Sequence, residues 1–157
     1  MSVHRTAALT AVVLATAASA LVAPAASAES VPGTAGLDPT LAEAYSAAYR
    51  AAAANGTVIS ITSGKRSWDQ QQWLWSDGLA RYGSPAAARR WVLPPAESTH
   101  VSGEAIDVGP WQGATWLQAN GNRWGLCRTF DNEWWHFELV ASPGGVCPPT
   151  VPDASYR

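Results

Sequence analysis

Two short segments of this sequence place histidines beside carboxylates. The first contains His100 and Asp107, and the second contains Glu133 and His136. The chain has three histidines, and the third, His4, lies in an N-terminal segment that we expect to be removed. Catalytic zinc usually has three protein ligands and keeps a fourth position for water. The residue types therefore predict a Zn2+ site with His100, Asp107 and His136 as the ligands.

Glu133 has the chemistry of a general base in such a site. A carboxylate outside the metal's inner shell can take a proton from the attacking water. We predict a strand beginning near Trp135, and positions three apart on a regular strand point to opposite faces. Glu133 must therefore lie in the turn before the strand if it faces the metal of His136. The turn-prone pair Asp131-Asn132 agrees with this placement.

The rest of the chain supplies helices and strands that would position these side chains. Alternation and β-branched composition predict four strands, over residues 57–62, 105–108, 123–130 and 135–140. Capping residues and apolar spacing predict helices, from residue 39 to about 54, 68 to 82, 85 to about 90, and 113 to 121. Residues 91–99 are predicted as a loop that leads into the first histidine. The fold class expected is α+β: a small, mainly antiparallel sheet with packed helices.

The N-terminus resembles a secretory signal peptide over residues 1–28. A short basic start, an uncharged apolar run and the cleavage pattern Ala26-Ser27-Ala28 support this prediction. We expect a flexible leader at 29–37, a domain that carries the predicted zinc site at 38–141 and a Pro-rich, irregular tail at 142–157. The expected location is extracellular, with no membrane anchor after cleavage. Monomer is the default oligomeric state.

Cys127 and Cys147 are the only cysteines. In an exported protein an even pair predicts a disulfide bond. It would close a loop that holds both Glu133 and His136. Two cysteines alone do not make a structural zinc site, which disfavours the alternative in which they bind metal.

The charge pattern and one missing motif exclude two other classes of function. The chain carries 10 basic and 12 acidic residues, a formal net charge of −2, with no basic cluster. We therefore expect no nucleic-acid partner. Serine D,D-peptidases use Ser-x-x-Lys, but the single lysine, Lys65, has no serine three residues before it.

The motifs together resemble a known family. Ser98-x-His100-x-x-Gly103-x-x-x-Asp107, followed by Glu133-x-x-His136, is similar to the zinc D-alanyl-D-alanine carboxypeptidases of the VanY type (peptidase family M15). The segment Ser63-Gly-Lys-Arg-Ser-Trp-Asp-Gln-Gln71 also resembles this family, although Lys65 stands where the family usually has tyrosine. The resemblance covers roughly residues 57 to 140.

The resemblance implies that residues 38–141 form a zinc peptidase domain with a hedgehog/DD-peptidase fold. It also implies hydrolysis of peptidoglycan stem peptides in the cell-wall space, with release of the terminal D-alanine. It gives Arg66 a role in the substrate pocket, either on the developing charge of the scissile carbonyl or on the substrate carboxylate. Gln71 is expected to reach the site. Ser98 has two open interpretations: a hydrogen bond to substrate or to a ligand, or a turn-capping role.

Other functions remain open at this level. The same zinc site would serve a peptidoglycan endopeptidase or an L,D-carboxypeptidase. A different class is a non-catalytic wall-binding module with structural zinc. Glu133 argues against that class, since a structural site has no need of a base.

Overall fold

The computed structural model describes residues 30–157, so the predicted signal peptide lies outside the described residues. The fold is a four-stranded antiparallel sheet with helices packed on it, as predicted. The strands are β1 (Ser60–Ser63), β2 (Ala105–Gly109), β3 (Leu126–Arg128) and β4 (His136–Leu139), in the order β1-β2-β4-β3. The α-helices are α1 (Pro39–Ala54), α2 (Trp68–Tyr82), α3 (Pro85–Ala88), α4 (Thr99–Ser102) and α5 (Trp111–Asn120). Short 3-10 helices cover Gly121–Trp124 and Ala154–Tyr156.

The first helix begins where the sequence predicts. The Asp38 carboxylate caps α1 by accepting from the backbone N–H of Thr40 and Leu41, at 2.9 and 3.1 Å. Such a cap satisfies N–H groups that have no partner inside the helix. The apolar stripe of α1, including Leu41 and Tyr45, is buried in the main core. Of the helices within residues 30–157, none is both long and apolar enough for a membrane crossing.

One face of the sheet packs on the main core, and the other carries the polar side chains of the predicted site. Ile106 pairs with Phe137 across β2 and β4, and both side chains are fully buried in the main core. The next pair along the same two strands is Asp107 with His136. Because successive side chains on a strand point to opposite faces, this polar pair lies on the face away from the core.

The expected flexible leader is wrong for the residues described. Val31 and Leu37 are each only 8% exposed and belong to the main core. Backbone hydrogen bonds form tight turns between them, from Thr34 N–H to the Val31 carbonyl and from Leu37 N–H to the Thr34 carbonyl. Gly33, with φ of 86°, packs its backbone on Ile61. The glycines of this segment therefore permit tight turns rather than flexibility.

The C-terminal tail is mostly irregular, as expected, but it is packed against the fold. Val151 forms a parallel bridge with Phe130, with backbone bonds to Thr129 and Asp131. Phe130 and Ala154 join Leu93 in a second small core. The tail therefore contributes to the structure around the sheet.

Several predicted boundaries differ from the structure. The strand predicted at 123–130 is confined to β3, because the chain first forms a 3-10 helix that ends at Gly125, whose φ is 82°. The loop predicted at 91–99 ends in α4, a four-residue helix that carries His100. The strand predicted at 57–62 begins later, at Ser60. Elements of three or four residues have too few positions to show a periodic pattern.

The size of the indole ring predicts that most of the nine tryptophans are core residues. In the structure none is fully buried, and Trp68, Trp73, Trp91 and Trp111 are each at least 44% exposed. Trp116, Trp124 and Trp134 pack against the main core while partly exposed. A large indole ring can bury one part and leave another at the surface.

Candidate metal centre and active site

The three predicted metal ligands meet on the polar face of the sheet. His100 comes from α4, Asp107 from β2 and His136 from β4. One nitrogen or oxygen atom from each lies within 4.8 Å of the others, and all three residues are buried. Asp107 Oδ1 is 3.4 Å from His100 Nε2 and 3.2 Å from His136 Nδ1. Two imidazoles and one carboxylate form a donor set that fits tetrahedral Zn2+ with a fourth position open.

Each imidazole uses one ring nitrogen in a hydrogen bond and leaves the other, which faces Asp107, free to bind a metal. His100 Nδ1 lies 2.8 Å from the Gly64 carbonyl, and His136 Nε2 lies 2.7 Å from Glu138 Oε1. Since a carbonyl and a carboxylate oxygen accept, each of these nitrogens donates its proton. The lone pairs of His100 Nε2 and His136 Nδ1 are then available to a metal, and these are the nitrogens that face Asp107.

The local fold explains why these side chains converge. Asp107 and His136 are direct partners across adjacent antiparallel strands, where side chains of paired residues lie side by side. His100 is held above them because the Arg66 N–H donates to its carbonyl at 3.0 Å. Helix α4 ends at Gly103, whose φ of 87° suits glycine, and β2 begins two residues later.

Glu133 lies in the turn before β4, as predicted. Its Oε2 is 3.6 Å from His136 Nδ1, and the residue is only 7% exposed. Burial raises the pKa of Glu133 to about 7, an effect that the positive charge of His136 opposes and the negative charge of Asp107 reinforces. A carboxylate with a pKa near the working pH is well suited to take up and release a proton.

The charges of the metal ligands are strongly coupled. Burial disfavours a charged Asp107, but hydrogen bonds from His100 and His136 hold its pKa well below the usual range. Burial likewise disfavours a charged His136, whereas its bonds to Asp107 and Glu138 raise its pKa to about 9. A metal ion must replace the proton of such a histidine when it binds.

Arg66 contacts the metal group directly. Its Nη2 donates to Asp107 Oδ2 at 2.8 Å, while Oδ1 of the same carboxylate faces the two histidines. Its Nε donates to Ser63 Oγ at 2.9 Å and its Nη1 to Gln71 Oε1 at 3.1 Å. The guanidinium is thus held in a fixed orientation at the edge of the pocket, with 21% of its side chain exposed.

Gln71 and Ser98 both line the pocket. The amide of Gln71 is buried: it accepts from Arg66 and donates to the Leu93 carbonyl at 2.8 Å. It therefore reaches the site through Arg66. Ser98 precedes α4, but its side chain makes no capping hydrogen bond.

A single pocket contains all of these side chains. Its polar floor holds the metal group, Glu133 and Arg66, and its apolar walls include Trp91, Leu93, Phe130, Trp135 and Ala154. Trp91 is 44% exposed and stacks on Tyr82 with ring centroids 6.3 Å apart. A small polar centre within apolar walls is typical of a binding site for a small organic group.

A family model described as "VanY: D-alanyl-D-alanine carboxypeptidase" matches residues 34–142. The chain belongs to the VanY family. A D-alanyl-D-alanine carboxypeptidase of Enterococcus faecalis is 28% identical over 118 residues, which cover 59% of this chain and 44% of that protein. The chain therefore spans less than half the length of this curated relative.

Solved structures share the fold. A mutant VanY D,D-pentapeptidase from a VanB-type resistance cassette, in complex with Zn(II), is 27% identical with a TM-score of 0.60, over 67% of this chain and 73% of that chain. VanYB in complex with D-alanine-D-alanine is 25% identical with a TM-score of 0.61, over 67% and 72% of the two chains. The L,D-carboxypeptidase DacB of Streptococcus pneumoniae is 27% identical with a TM-score of 0.55, over 74% and 71%. These likenesses confirm the predicted VanY-type fold.

Sequence reasoning missed two polar residues of this VanY-family site. Glu138 contacts His136, and the alternation of β4 already placed both on one face. Arg157 lines the pocket and contacts Glu138. No sequence signal identified Arg157. It is 58 residues away from Thr99, to which it donates a hydrogen bond, and it lies outside the residues that the family model matches.

The predicted disulfide is present. Cys127 of β3 is bonded to Cys147, with an S–S distance of 2.01 Å and a sequence separation of 20 residues. Cys127 is the β3 partner of Glu138. The bond therefore ties the start of the tail to the edge of the sheet beside the site.

Removing the disulfide is expected to destabilise the fold. In the loop-entropy treatment a loop of this size contributes about 3 kcal/mol, so the Cys127→Ser/Cys147→Ser double variant should lose about that much unfolding free energy. Urea unfolding of parent and variant, without reductant, measures this loss. Adding a reductant should weaken the parent and leave the variant unchanged. Equal stability of parent and variant would contradict the prediction.

Proposed function

We propose that this chain is a secreted zinc metallopeptidase that acts on peptidoglycan stem peptides and releases the terminal D-alanine. The observation that supports it best is the buried His100, Asp107 and His136 group with the Glu133 carboxylate beside it in one pocket. Membership of the VanY family and the D-alanine-D-alanine complex of VanYB support the substrate class. The disulfide agrees with an oxidising, extracellular location.

In the proposed hydrolysis the metal ligands and Glu133 have separate roles. Zn2+, when bound by the three ligands, lowers the pKa of water and polarises a carbonyl. The Glu133 carboxylate takes the proton of the attacking water and delivers it to the leaving amine of D-alanine. Burial raises the pKa of Glu133 above the ordinary range of a glutamate, which suits a group that both accepts and releases a proton.

Arg66 has a positioning and electrostatic role in this proposal. Its guanidinium fixes the orientation of Asp107 and presents positive charge to the pocket. That positive charge stabilises the negative charge that develops on the scissile carbonyl oxygen, or it binds the substrate carboxylate. Gln71 and Ser63 keep the guanidinium in place. We assign Ser98 a hydrogen bond to the substrate, because it lines the pocket and its hydroxyl does not cap α4.

The likeness to the L,D-carboxypeptidase DacB favours a second candidate with the same site. In that case the bond cut would join an L-configured diamino acid to D-alanine. Endopeptidase action on cross-linked peptides would also use this chemistry. Glu133 disfavours the non-catalytic wall-binding module, because a purely structural zinc site does not require a nearby buried base.

The test is release of free D-alanine from synthetic stem peptides by the zinc-loaded protein. A pentapeptide ending in D-Ala-D-Ala and a tetrapeptide ending in L-Lys-D-Ala are compared, each with and without a chelator. We expect chelator-sensitive release from the pentapeptide. Release from the tetrapeptide alone would identify the L,D-activity. No release from either, with zinc bound, would contradict carboxypeptidase action and direct the test to cross-linked fragments.

A further inference from the structure

A buried carboxylate on β4 is not used by the proposed reaction. Glu138 is 4% exposed and lies two residues beyond His136 on the same face of the strand. Its neighbours on the adjacent strands are Ala105 and Cys127, which offer no charge. Burying a carboxylate costs free energy unless it is paired and hydrogen-bonded. The partners of Glu138 therefore indicate its role.

The Glu138 carboxylate has three hydrogen-bond partners: His136, Thr99 and Arg157. Oε1 lies 2.7 Å from His136 Nε2 and accepts from the Thr99 hydroxyl at 3.0 Å. Oε2 accepts from Nη2 of Arg157. Nη1 of Arg157 in turn donates to Thr99 Oγ1 at 3.2 Å. The carboxylate therefore connects the tail, α4 and a metal ligand.

We propose that Glu138 is a positioning residue for the metal site, and that Arg157 anchors it. Glu138 accepts a hydrogen bond from the Nε2–H of His136, which fixes the imidazole in the tautomer whose Nδ1 lone pair faces the metal. This proposal builds on the metal site and extends it to two residues outside the ligand set. Partners of this kind set the ring orientation and basicity of a metal-bound histidine.

The two histidines of the site differ in how they are fixed. His100 donates to a backbone carbonyl, that of Gly64, which no side-chain substitution removes. His136 depends on a side chain, and its other nitrogen already faces Asp107. A substitution at Glu138 therefore changes the support of one ligand and leaves the other intact.

Arg157 is placed to hold the carboxylate still. Its guanidinium carries the charge that compensates Glu138 and lies over the Phe130 ring, 5.3 Å from the centroid. Phe130 itself packs on the His136 ring, with centroids 5.0 Å apart. The tail that carries Arg157 is docked separately, through a 2.9 Å ion pair between Arg90 and Asp153.

The proposal is tested by zinc affinity, measured in competition with a chromophoric chelator and without any substrate. The variants are Glu138→Ala, Glu138→Gln, Arg157→Ala and the control Asp153→Asn. Loss of a partner to a metal-bound histidine typically weakens metal binding about 10- to 100-fold, and this is the expectation for Glu138→Ala. Glu138→Gln keeps an oxygen that can accept from Nε2 and should recover part of the affinity. Arg157→Ala should give a smaller loss than Glu138→Ala.

The control separates support of His136 from docking of the tail. Asp153→Asn weakens the tail's ion pair without touching Glu138, so its zinc affinity should stay within about twofold of the parent. The visible spectrum of the Co2+-substituted protein reports ligand geometry, and it should change in Glu138→Ala but not in Asp153→Asn. Thermal unfolding shows whether each variant is folded. If Glu138→Ala does not fold, Glu138→Gln, whose side chain has the same size and shape as glutamate, takes its place in the test.

Two results would overturn the proposal. One is a folded Glu138→Ala variant with the parent's zinc affinity and Co2+ spectrum. The other is an equal loss of affinity in Asp153→Asn, which would assign the effect to tail docking. Because the readout is metal binding, the outcome is independent of whether the parent protein releases D-alanine.

Discussion

Replacing Glu133 with glutamine is expected to remove turnover while zinc stays bound. The glutamine side chain has the same size but cannot accept the proton of the attacking water. General acid–base groups contribute about 10²–10⁴-fold to rate, so kcat for D-alanine release should fall by about that factor. The metal ligands His100, Asp107 and His136 are untouched, and zinc content by elemental analysis should match the parent.

A matched control lies outside the pocket. Glu104 is exposed and bonds to Ser102, so Glu104→Gln makes the same chemical change without affecting the site. It should retain the parent's kcat. If Glu133→Gln releases D-alanine as fast as the parent, the assignment of the base is wrong. If it loses zinc, the residue supports the metal rather than the proton transfer.

Substituting Arg66 is expected to have the second-largest effect. Arg66→Ala removes the positive charge at the pocket and the donor to Asp107 Oδ2. Loss of one group that stabilises developing negative charge costs about 10²–10³-fold, and kcat/KM should fall by this factor. Arg66→Lys restores the charge but not the fork that bonds Ser63, Gln71 and Asp107 together, so we expect only partial recovery.

The kinetic parameters distinguish the roles of Arg66. A fall in kcat at constant KM indicates stabilisation of the transition state, and a rise in KM alone indicates binding of the substrate carboxylate. Loss of zinc affinity indicates support of Asp107. Arg90→Ala is the control, because Arg90 pairs with Asp153 and has no contact with the metal group. Parent-like kinetics and zinc affinity for Arg66→Ala would together contradict all three roles.

The sequence predicted the metal group because its members lie on strong local patterns. Asp107 and His136 fall on strands whose alternation is clear, and the turn before β4 placed Glu133 without long-range information. His100 was identified from its motif, although its helix was not, since four residues cannot show helical periodicity. The reason Arg66 meets Asp107 was not predictable, because the pairing of β1 with β2 brings together residues 41 positions apart.

The packing of the irregular segments at residues 30–37 and 142–157 was not predicted, for one physical reason. A high content of Pro and Gly indicates irregular backbone, and the residues around Gly33 and the tail are indeed irregular. Irregular backbone is still ordered when it buries apolar residues, as Val31 and Leu37 do. Composition alone does not reveal that burial, nor does it reveal that Ala154 in the tail is buried against Phe130, close to Arg157.

The distribution of the ligands along the chain links metal binding to folding. The ligands come from α4, β2 and β4. The groups that hold them lie in the loop after β1, on β4 and in the tail, so a partly folded chain has no complete site. An ion that binds only the folded state shifts the unfolding equilibrium by mass action, by about 2.7 kcal/mol when its free concentration is 100 times its dissociation constant. The apparent melting temperature should therefore rise with the supply of zinc. In an environment poor in zinc, this chain would be less active and also more exposed to proteolysis.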